Sequence, residues 1–239
     1  MRMVAAVLAG GTGQRFGAGM PKQLLSLDGR TLLEHCVAAF EEAPPVDEII
    51  VVMDPGHATR AEKLLRGYRK LSGIIAGGAT RTESARNAIA AIRAAEKAAG
   101  NAAGDDCGVL LHDAARPLVD QRIIADCAAA LRAGAGAVGV AVPSSDTIVV
   151  ADGGAMRHMP RRDTLLRCQT PQGFRLPVIA RAHELARADP GFTATDDCGV
   201  VLRYLPEVTV RVIPGSERNI KITYPRDLAI AEALLKADR

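Results

Sequence analysis

The sequence predicts an α/β fold in which a mostly parallel, twisted sheet is flanked by helices within a single domain. The main observation is that short apolar runs alternate along the chain with segments whose apolar residues recur at helical spacing. Such alternation is typical of βαβ units, whose strands are parallel. The second observation is size: 239 residues, 48% of them hydrophobic and 24% charged, suffice for one large core and exclude a disordered chain.

In the first half of the chain, predicted strands and helices follow one another closely. Residues 3–8 are a short apolar run that ends at glycines, as buried strands do. Residues 31–40 are predicted to be a helix, because apolar side chains recur at helical spacing and Thr31 can cap it with Glu34 three residues on. The same patterns predict strands at 48–53 and 73–76, and helices at 57–68 and 81–99.

The second half continues the alternation and adds one exception. Strands are predicted at 107–112, 135–142 and 208–213, and helices at 121–132, 176–187, 195–204 and 225–236. The exception is the segment 143–167, which contains a possible hairpin of strands 146–150 and 155–159 around Asp152-Gly153-Gly154. This arm is either a decorative surface hairpin or an element that covers an active site or reaches a second subunit.

The composition narrows the possible partners and compartments. The net charge of +3 is too small to indicate nucleic-acid or membrane-surface binding, and no apolar run reaches the roughly 20 residues of a membrane span. The N-terminus runs directly into glycines and charge, which favours a buried strand over a signal peptide. The five cysteines include no C-x-x-C pair, which favours buried thiols in a cytoplasmic protein. Because Arg239 follows the last predicted helix directly, we expect no fused domain.

A glycine-rich loop follows the first predicted strand. It reads LAGGTGQRFG from residue 8 to 17 and continues into MPKQ at 20–23. Glycines allow a backbone to approach phosphates closely, and Arg15 and Lys22 add positive charge, which suits a triphosphate. Phe16 occupies the place of the third glycine in a dinucleotide-binding fingerprint, and no G-x-x-x-x-G-K-[ST] loop is present. A nicotinamide-dependent oxidoreductase is therefore excluded, and the loop predicts a triphosphate site.

Further polar residues follow other predicted strands, at the edge where open α/β sheets bind ligands. Gly77-Gly78 can bring the backbone to the edge of a base with the Ser84 hydroxyl beside it, although Ser84 also fits a plain first-turn helix residue. Asp113 suits a Mg²⁺ ion, a ribose hydroxyl, a polyol or a helix cap. Arg116, three residues on, suits a phosphate.

Six motifs in order give the chain its resemblance to a known family. The sequence L-A-G-G-x-G-x-R followed by P-K resembles the signature loop of nucleotidyltransferases. The motifs that follow it are GGATRTES at 77–84, HDAARP at 112–117, QTPQGF at 169–174, TDD at 195–197 and NIKIT at 219–223. Together they resemble 2-C-methyl-D-erythritol 4-phosphate cytidylyltransferases, from the non-mevalonate isoprenoid pathway, over essentially the whole chain. The resemblance implies one Rossmann-like domain over 1–239, with an arm at about 143–167 for dimerisation and the active site.

The resemblance also implies roles for individual residues. Four cations would be catalytic: Arg15, Lys22, Arg162 and Lys221. CTP would be bound by Leu8, Ala9, Gly10, Gly11, Gly13, Gly78, Ala79, Arg81 and Ser84. The polyol phosphate would be bound by Asp113, Arg116, Thr147, Thr170 and Thr195.

The implied reaction joins two anions. An oxygen of the polyol phosphate attacks the α-phosphorus of CTP and pyrophosphate leaves, so catalysis should consist of charge neutralisation and positioning without a covalent intermediate. Arg15 and Lys22 would serve the triphosphate, and Arg162 and Lys221 the incoming phosphate. The resemblance further implies a homodimer in which the arm carries Arg162 into the active site of the partner subunit.

The same resemblance leads to an expectation for a metal ion and for His112. Mg²⁺ or another divalent cation is expected on the triphosphate, held mainly by phosphate oxygens, with Asp113 as the candidate protein ligand. His112 should be structural, because the attacking phosphate is already anionic near pH 7 and needs no strong base.

Two alternatives stay open at this stage. Ribitol 5-phosphate is a possible acceptor, since Ser145 and Val149 flank Asp146-Thr147-Ile148 where methylerythritol enzymes usually carry basic residues. Ala114-Ala115, between Asp113 and Arg116, favours methylerythritol phosphate instead. The other alternative, a CTP-binding protein without catalysis, is disfavoured by cations at both ends of the reaction path.

Overall fold

One seven-stranded mixed sheet with helices packed on both faces organises the molecule. The computed structural model describes residues 1–11, 21–101, 103–189 and 191–237. The strands described are β1 Arg2–Ala9, β2 Ser26–Leu27, β3 Arg30–Thr31, β4 Glu48–Met53, β5 Leu71–Ala76, β6 Cys107–Asp113, β7 Ala137–Pro143, β8 Val150–Asp152, β9 Ala155–His158, β10 Leu166–Arg175 and β11 Val210–Pro214. The α-helices described are α1 Leu32–Glu42, α2 Ala58–Leu64, α3 Arg81–Ala98, α4 Gln121–Arg132, α5 Leu176–Arg187, α6 Asp197–Tyr204 and α7 Pro225–Lys236.

The sheet has the strand order β11-β7-β10-β6-β1-β4-β5. β1 pairs in parallel with β4 and with β6, β4 pairs in parallel with β5, and β7 pairs in parallel with β11. β10 runs antiparallel to both of its neighbours, β6 and β7. The predicted α/β fold with a mostly parallel sheet is therefore confirmed.

The sequence patterns do not predict β10, although it lies inside the sheet. Its segment contains Pro171 and Gly173, which are typical of turns, and Gln169 and Gln172 where a buried strand usually carries apolar residues. Both glutamines are nevertheless buried, and their side-chain amides donate hydrogen bonds of 2.7 and 2.9 Å to groups distant in sequence. These tertiary hydrogen bonds offset the cost of burying the amides, and no local pattern reveals them.

Two apolar layers cover the faces of the sheet. In β1, Met3 and Val7 belong to a cluster with residues of α1 and α4, whereas Val4 and Leu8 belong to a cluster with residues of α3, α5 and α6. A strand covered on both faces is apolar at successive positions, which explains why residues 3–8 read as an uninterrupted apolar run. None of the described helices combines the length and the apolar character that crossing a membrane requires.

The helix boundaries follow their capping interactions. The Thr31 hydroxyl accepts a hydrogen bond from the Glu34 N–H at 3.2 Å, so the predicted cap of α1 is confirmed. The helix predicted at 57–68 is shorter, because a 3₁₀ turn precedes α2 and the chain leaves the helix after Leu64. The helix predicted at 195–204 begins two residues later, because Asp196 is its N-cap and accepts from the N–H of Gly199.

A small hairpin, β2–β3, lies outside the main sheet. Its turn is Asp28-Gly29, and both residues have positive φ (50° and 83°), as such two-residue hairpin turns require. Leu27 packs with Ile222 and with Ala231 of α7 in a separate buried cluster. This cluster anchors the segment between β11 and α7, which contains Lys221.

The predicted arm is present as the hairpin β8–β9. Its strands pair around Gly153-Gly154, where both φ angles are positive (56° and 78°), a conformation that glycine adopts without strain. The first strand begins at Val150 rather than 146, because the chain is bent where the Ser144 hydroxyl donates to the Asp146 carbonyl at 3.1 Å. The arm exposes apolar side chains, among them Met156, which is 73% exposed.

Candidate active site

The glycine-rich loop begins where β1 ends, beside the end of β6. Leu8 is paired with Asp113 across the two strands, and the Leu8 carbonyl accepts a hydrogen bond from the Ala114 N–H at 3.0 Å. Ala9, the last residue of β1, has its side chain in the core. The parallel pairing of β1 and β6 therefore brings two of the predicted motifs to the same edge of the sheet.

A first cavity of about 240 Å³ opens at this edge. Lys22 follows the loop, and its Nζ donates a hydrogen bond to the Ile222 carbonyl at 2.9 Å. Gly13 and Arg15 lie outside the described residues, so their roles remain predictions. The lining of the cavity includes the predicted residues Leu8, Gly10, Gly11, Lys22, Ala79, Arg81, Ser84, Asp113 and Lys221.

One end of the first cavity is built from two glycine turns and the start of α3. The Ser84 hydroxyl accepts a hydrogen bond from the Gly78 N–H at 3.1 Å, so Ser84 orients the turn predicted to meet the base. A Cβ at Gly10 would lie 2.9 Å from the Ser84 oxygen, which explains why glycine is needed there. The Ala79 N–H donates to the Glu83 carboxylate at 2.7 Å in the free protein, and the predicted contact of Ala79 with the base stays a prediction.

Asp113 lies between two cations at the wall of this cavity. Its Oδ1 accepts from Nε of Arg81 at 2.9 Å, and its Oδ2 accepts from Nζ of Lys221 at 2.7 Å. Burial opposes ionisation of Asp113, but the charges of Arg81 and Lys221 outweigh it and hold the pKa of this carboxyl well below its usual range. Asp113 is thus a carboxylate at neutral pH, and it fixes both cations in place.

A second cavity of about 230 Å³ adjoins the first and shares Arg81, Asp113 and Lys221 with it. Its lining adds the predicted residues Arg116, Thr170 and Thr195. The structure therefore brings four of the five residues predicted for the polyol phosphate, all but Thr147, next to those predicted for CTP. Two ligands placed in the two cavities would meet at the shared side chains.

Arg116 is held rigidly at the second cavity. Its Nη1 donates to the Asn219 carbonyl at 2.7 Å, and its Nη2 donates to the Cys168 carbonyl at 3.1 Å. Its Nε is buried and has no hydrogen-bond partner among the described residues. Burial also lowers the pKa of Arg116, although a guanidinium stays charged at neutral pH. Arg116 can therefore provide a fixed positive charge to this cavity.

His112 and Thr170 stabilise the end of β6 through a chain of hydrogen bonds. The Asp113 N–H donates to the Thr170 hydroxyl at 3.1 Å, and that hydroxyl donates to Nδ1 of His112 at 3.1 Å. Nε2 of His112 donates to the Arg116 carbonyl at 3.0 Å. Burial lowers the pKa of His112 to about 4, so the ring is neutral at pH 7. This arrangement gives His112 the structural role expected from the sequence.

Arg162 and Thr147 line neither cavity of the single chain. Both are exposed, and Nη1 of Arg162 lies 3.5 Å from the Ser145 carbonyl. The resemblance implies that the arm serves the active site of a partner subunit, so their predicted roles stay predictions.

The described residues do not form a metal site by themselves. No group of three or more His, Cys, Asp or Glu side chains in the described ranges is placed to hold a metal ion. The carboxylate of Asp113 could offer an oxygen ligand, and each of its oxygens already accepts one hydrogen bond, from Arg81 or from Lys221. A carboxylate oxygen can accept more than one bond, so the role of Asp113 as a metal ligand stays a prediction.

The sequence did not predict roles for Asp197, His183 and Gln172, which form a hydrogen-bond network behind Arg81, outside the first cavity. Nη1 of Arg81 donates to Asp197 at 2.8 Å, and Nε2 of His183 donates to the same carboxylate at 3.0 Å. Gln172 accepts hydrogen bonds from the N–H groups of Asp197 and Cys198, both at 3.0 Å. The motifs QTPQGF at 169–174 and TDD at 195–197 were usable signals for Gln172 and Asp197, whereas nothing local marks His183.

A larger cavity lies elsewhere on the surface. It measures about 710 Å³, lies between α3 and α5 and contains none of the residues predicted for the reaction. Size alone does not identify a site; the chemistry lies in the two smaller cavities at the sheet edge, where charged groups converge.

Comparison with known proteins identifies the family. Residues 3–237 match the sequence profile of 2-C-methyl-D-erythritol 4-phosphate cytidylyltransferase. A protein of that name from Thermobifida fusca (strain YX) is 54% identical, over 98% of this chain and 94% of its own. A bifunctional ribulose 5-phosphate reductase/CDP-ribitol pyrophosphorylase from Haemophilus influenzae is 37% identical, over 98% of this chain and 48% of its own. The crystal structure of 4-diphosphocytidyl-2C-methyl-D-erythritol synthase from Anaerococcus prevotii superposes with a TM-score of 0.84 at 26% identity, covering 98% of this chain and 96% of that one. The chain belongs to the 2-C-methyl-D-erythritol 4-phosphate cytidylyltransferase family.

Proposed function

We propose that this protein transfers CMP from CTP to 2-C-methyl-D-erythritol 4-phosphate, which gives CDP-methylerythritol and pyrophosphate for isoprenoid precursor synthesis. The observation that carries the proposal is the pair of adjoining cavities that share Arg81, Asp113 and Lys221. The family match over 3–237 agrees with it. A site for one ligand would need only one of these cavities, whereas a transfer between two substrates needs both.

CTP fits the first cavity by its chemistry. The glycine backbone at Gly10 and Gly11 can approach phosphates closely, and the ammonium group of Lys22 adds a positive charge beside them. The turn at Gly78, held by the Ser84 hydroxyl, offers rigid backbone to the cytosine. In this arrangement the α-phosphorus would lie near the side chains shared with the second cavity.

The acceptor fits the second cavity. Arg116 and Lys221 supply positive charge for its phosphate, while the Asp113 carboxylate and the Thr195 side chain can bond its hydroxyl groups. Lys221 is 43% exposed at its side chain and bonded to Asp113, so it can turn toward an incoming phosphate at modest cost.

The mechanism follows from the charges. A phosphate monoester is already largely dianionic at pH 7, so its oxygen can attack the α-phosphorus without a general base. The two substrates repel each other, and the fixed cations of the cleft remove that repulsion and stabilise the charge that develops on the phosphoryl oxygens. His112 is neutral and bonded at both ring nitrogens, so it takes no part in proton transfer.

Mg²⁺ is proposed to arrive with the nucleotide, as Mg–CTP. The reason is that triphosphate oxygens are good ligands for this ion. The two carboxylates that line the cavities, Asp113 and Asp196, already accept hydrogen bonds at both oxygens and belong to no cluster of three metal-binding side chains in the described ranges. Another divalent cation of similar size would serve the same role.

A homodimer with exchanged arms would complete the site. The support is that the arm exposes apolar side chains, including Val150, Met156 and Met159, which a second subunit could bury. The same arrangement would bring the guanidinium of Arg162 to the acceptor phosphate of the partner subunit.

A cytoplasmic location is proposed from the cysteines. Cys36, Cys107, Cys127 and Cys198 are free and buried, and Cys168 is free and exposed. Free thiols in this number are typical of a reducing compartment.

The second candidate acceptor is ribitol 5-phosphate. It is favoured by the arm, where Ser145 and Val149 stand in place of basic residues, and by the relative whose name includes CDP-ribitol pyrophosphorylase. Methylerythritol phosphate is preferred because the relative that bears its enzyme's name is more similar, at 54% against 37% identity.

One assay tests the proposed function. CTP is incubated with the protein and with either methylerythritol phosphate or ribitol 5-phosphate, and pyrophosphate release is followed to obtain kcat/KM. We expect a kcat/KM at least about tenfold higher for methylerythritol phosphate, as is typical of pockets that bond substrate hydroxyls. A preference for ribitol 5-phosphate would reverse the choice of acceptor, and no release with either acceptor would leave a CTP-binding protein without catalysis.

A further inference from the structure

A row of hydrogen-bonded side chains leads from Asp113 away from the substrate cavities. Asp113 is bonded to Nε of Arg81 at 2.9 Å, Nη1 of Arg81 is bonded to Asp197 at 2.8 Å, and Asp197 is bonded to Nε2 of His183 at 3.0 Å. The side chains of Asp197 and His183 are only 1% and 4% exposed. Asp197 lines neither of the two substrate cavities.

Each member of the row is bonded mainly to its neighbours in the row. Nδ1 of His183 has no hydrogen-bond partner among the described residues, so the polar contact of this ring is to Asp197. Nη2 of Arg81 is also buried without a partner in the described ranges. The position of the Arg81 guanidinium therefore does not give every N–H a hydrogen-bond acceptor. Its position is set instead by the two carboxylates, Asp113 and Asp197, to which it is bonded.

We propose that Asp197 and His183 are positioning residues, which hold the Arg81 guanidinium so that it fixes the Asp113 carboxylate for the acceptor. The inference rests on the proposed function for the identity of the acceptor. Neither Asp197 nor His183 lines either of the two substrate cavities. Their effect on the transfer reaction therefore passes through Arg81 and Asp113.

The geometry of arginine supports this role. The guanidinium is planar and its donors point in fixed directions, so two acceptors suffice to set its orientation. Arg81 stands in the first turn of α3 on a long, flexible stem, and a single hydrogen bond to Asp113 would leave the plane free to rotate. The bond to Asp197 removes that freedom, and His183 in turn fixes the Asp197 carboxylate.

The charges of Asp197 and Arg81 also support a positioning role. Burial opposes ionisation of Asp197, but Arg81 and His183 outweigh it and lower the pKa of this carboxyl. Arg81 thus lies between two carboxylates, and burial opposes its charge while both of them raise its pKa. A buried ion pair does not by itself indicate a gain in stability. The effect of the Arg81–Asp197 pair on the transfer reaction therefore has to be measured separately from its effect on stability.

A double-mutant cycle tests the coupling of Asp197 to Asp113. kcat/KM for the acceptor is measured for Asp197→Ala, Asp113→Asn and the double variant. We expect Asp197→Ala to lower kcat/KM at least about tenfold in the wild-type background but less than about threefold in the Asp113→Asn background, because residues of one network are not additive. Equal losses in both backgrounds would overturn the proposal. Asp197→Asn, which keeps the side-chain volume, replaces Asp197→Ala if that variant does not fold.

Variants of two adjacent residues of α5, His183 and Glu184, distinguish an effect on the position of Arg81 from an effect on stability. His183→Gln keeps a donor near the place of Nε2 and should retain kcat/KM within about threefold, whereas His183→Leu should lose it as Asp197→Ala does. The control is Glu184→Gln, the next residue, which breaks an exposed ion pair with Arg93 and should leave kcat/KM unchanged. A positioning role would be contradicted if kcat/KM fell in proportion to the melting temperature across all variants and if His183→Gln lost as much kcat/KM as His183→Leu.

A readout without turnover separates this inference from the proposed function. The Nε–H resonance of Arg81, identified by its absence in Arg81→Lys, is recorded in the ¹⁵N spectrum of the free protein. We expect Asp197→Ala to shift this resonance and to speed its exchange with water, while Glu184→Gln does neither. An unchanged resonance would overturn the proposal whichever acceptor the wild-type protein uses, and a wild-type protein inactive toward both acceptors would contradict the proposed function alone.

Discussion

Asp113 sets the balance of charge at the point where the two cavities meet. It is ionised and bonded to Arg81 and Lys221, so in the free protein it neutralises part of the charge that those cations would otherwise present. The neighbouring side chains of Lys22 and Arg116 donate hydrogen bonds to the backbone carbonyls of Ile222 and Asn219. Lys22, Arg81, Arg116 and Lys221 bring positive charge to the cleft that is proposed to hold two anions. In the free protein, the bond to Asp113 holds the ammonium group of Lys221.

His112 gives a prediction at the same scale, for stability against pH. Its pKa is lowered to about 4 by burial, against about 6.5 in an unfolded chain. Between these values the unfolded chain binds a proton that the folded protein does not, so the free energy of unfolding falls as the pH is lowered. We expect His112 to account for a loss of about 2 kcal/mol between pH 7.5 and pH 5.

Urea unfolding at the two pH values measures this loss, with His112→Gln as the comparison. The variant will be less stable at pH 7.5, because it disturbs the bonds to Thr170 and Arg116. Its free energy of unfolding should nevertheless fall by about 2 kcal/mol less than that of the wild type between the two pH values. Equal losses in both proteins would show that His112 does not titrate in this way.

At the scale of elements, the antiparallel strand β10 and the arm matter most for the site. β10 runs against its neighbours, so its first half, with Thr170, reaches the edge where β1 and β6 end. The arm, in contrast, leaves Arg162 outside both cavities of the single chain. β10 thus contributes to the site from within the subunit, whereas a role of the arm in the site of a second subunit stays a proposal.

A subunit-mixing experiment tests the role of the arm. Lys22→Ala alone should lower turnover by at least about 100-fold, as expected when a group that stabilises phosphoryl charge is removed, and Arg162→Ala should be comparably impaired. If each arm serves the partner, a hybrid dimer of the two variants contains one intact site, so co-expression in equal amounts should restore about a quarter of wild-type activity. The control is the double variant mixed with itself. Activity of the mixture no higher than that of either variant would mean that the arm does not complete the partner's site.

At the scale of the whole molecule, the sequence predicts most of the sheet but only part of the site. Apolar runs such as 3–8 predict strands buried on both faces, and helical spacing predicts 121–132 to the residue. Local motifs predict Lys22 and Asp113, because one follows a glycine-rich loop and the other a strand, whereas the role of Lys221 is implied by the motif NIKIT and the family resemblance. All of these signals are local, which is why they can be found without the structure.

What the sequence does not reveal depends on contacts between distant segments. β10 is stable as a strand because Gln169 and Gln172 find partners far along the chain. His183 and Asp197 meet only when α5 packs beside α6. The two glutamines and Asp197 fall within the motifs QTPQGF and TDD, but neither motif shows which distant group each side chain contacts, and nothing local marks His183.

The central claim is that CMP passes in one step from CTP to the acceptor, with both anions held together in one cationic cleft. The most direct measurement is isotope exchange between labelled pyrophosphate and CTP, with and without methylerythritol phosphate. A covalent cytidylyl-enzyme would exchange the label with CTP alone, whereas direct attack requires the acceptor. We predict label in CTP only when methylerythritol phosphate is present; exchange at a comparable rate in its absence would contradict one-step transfer.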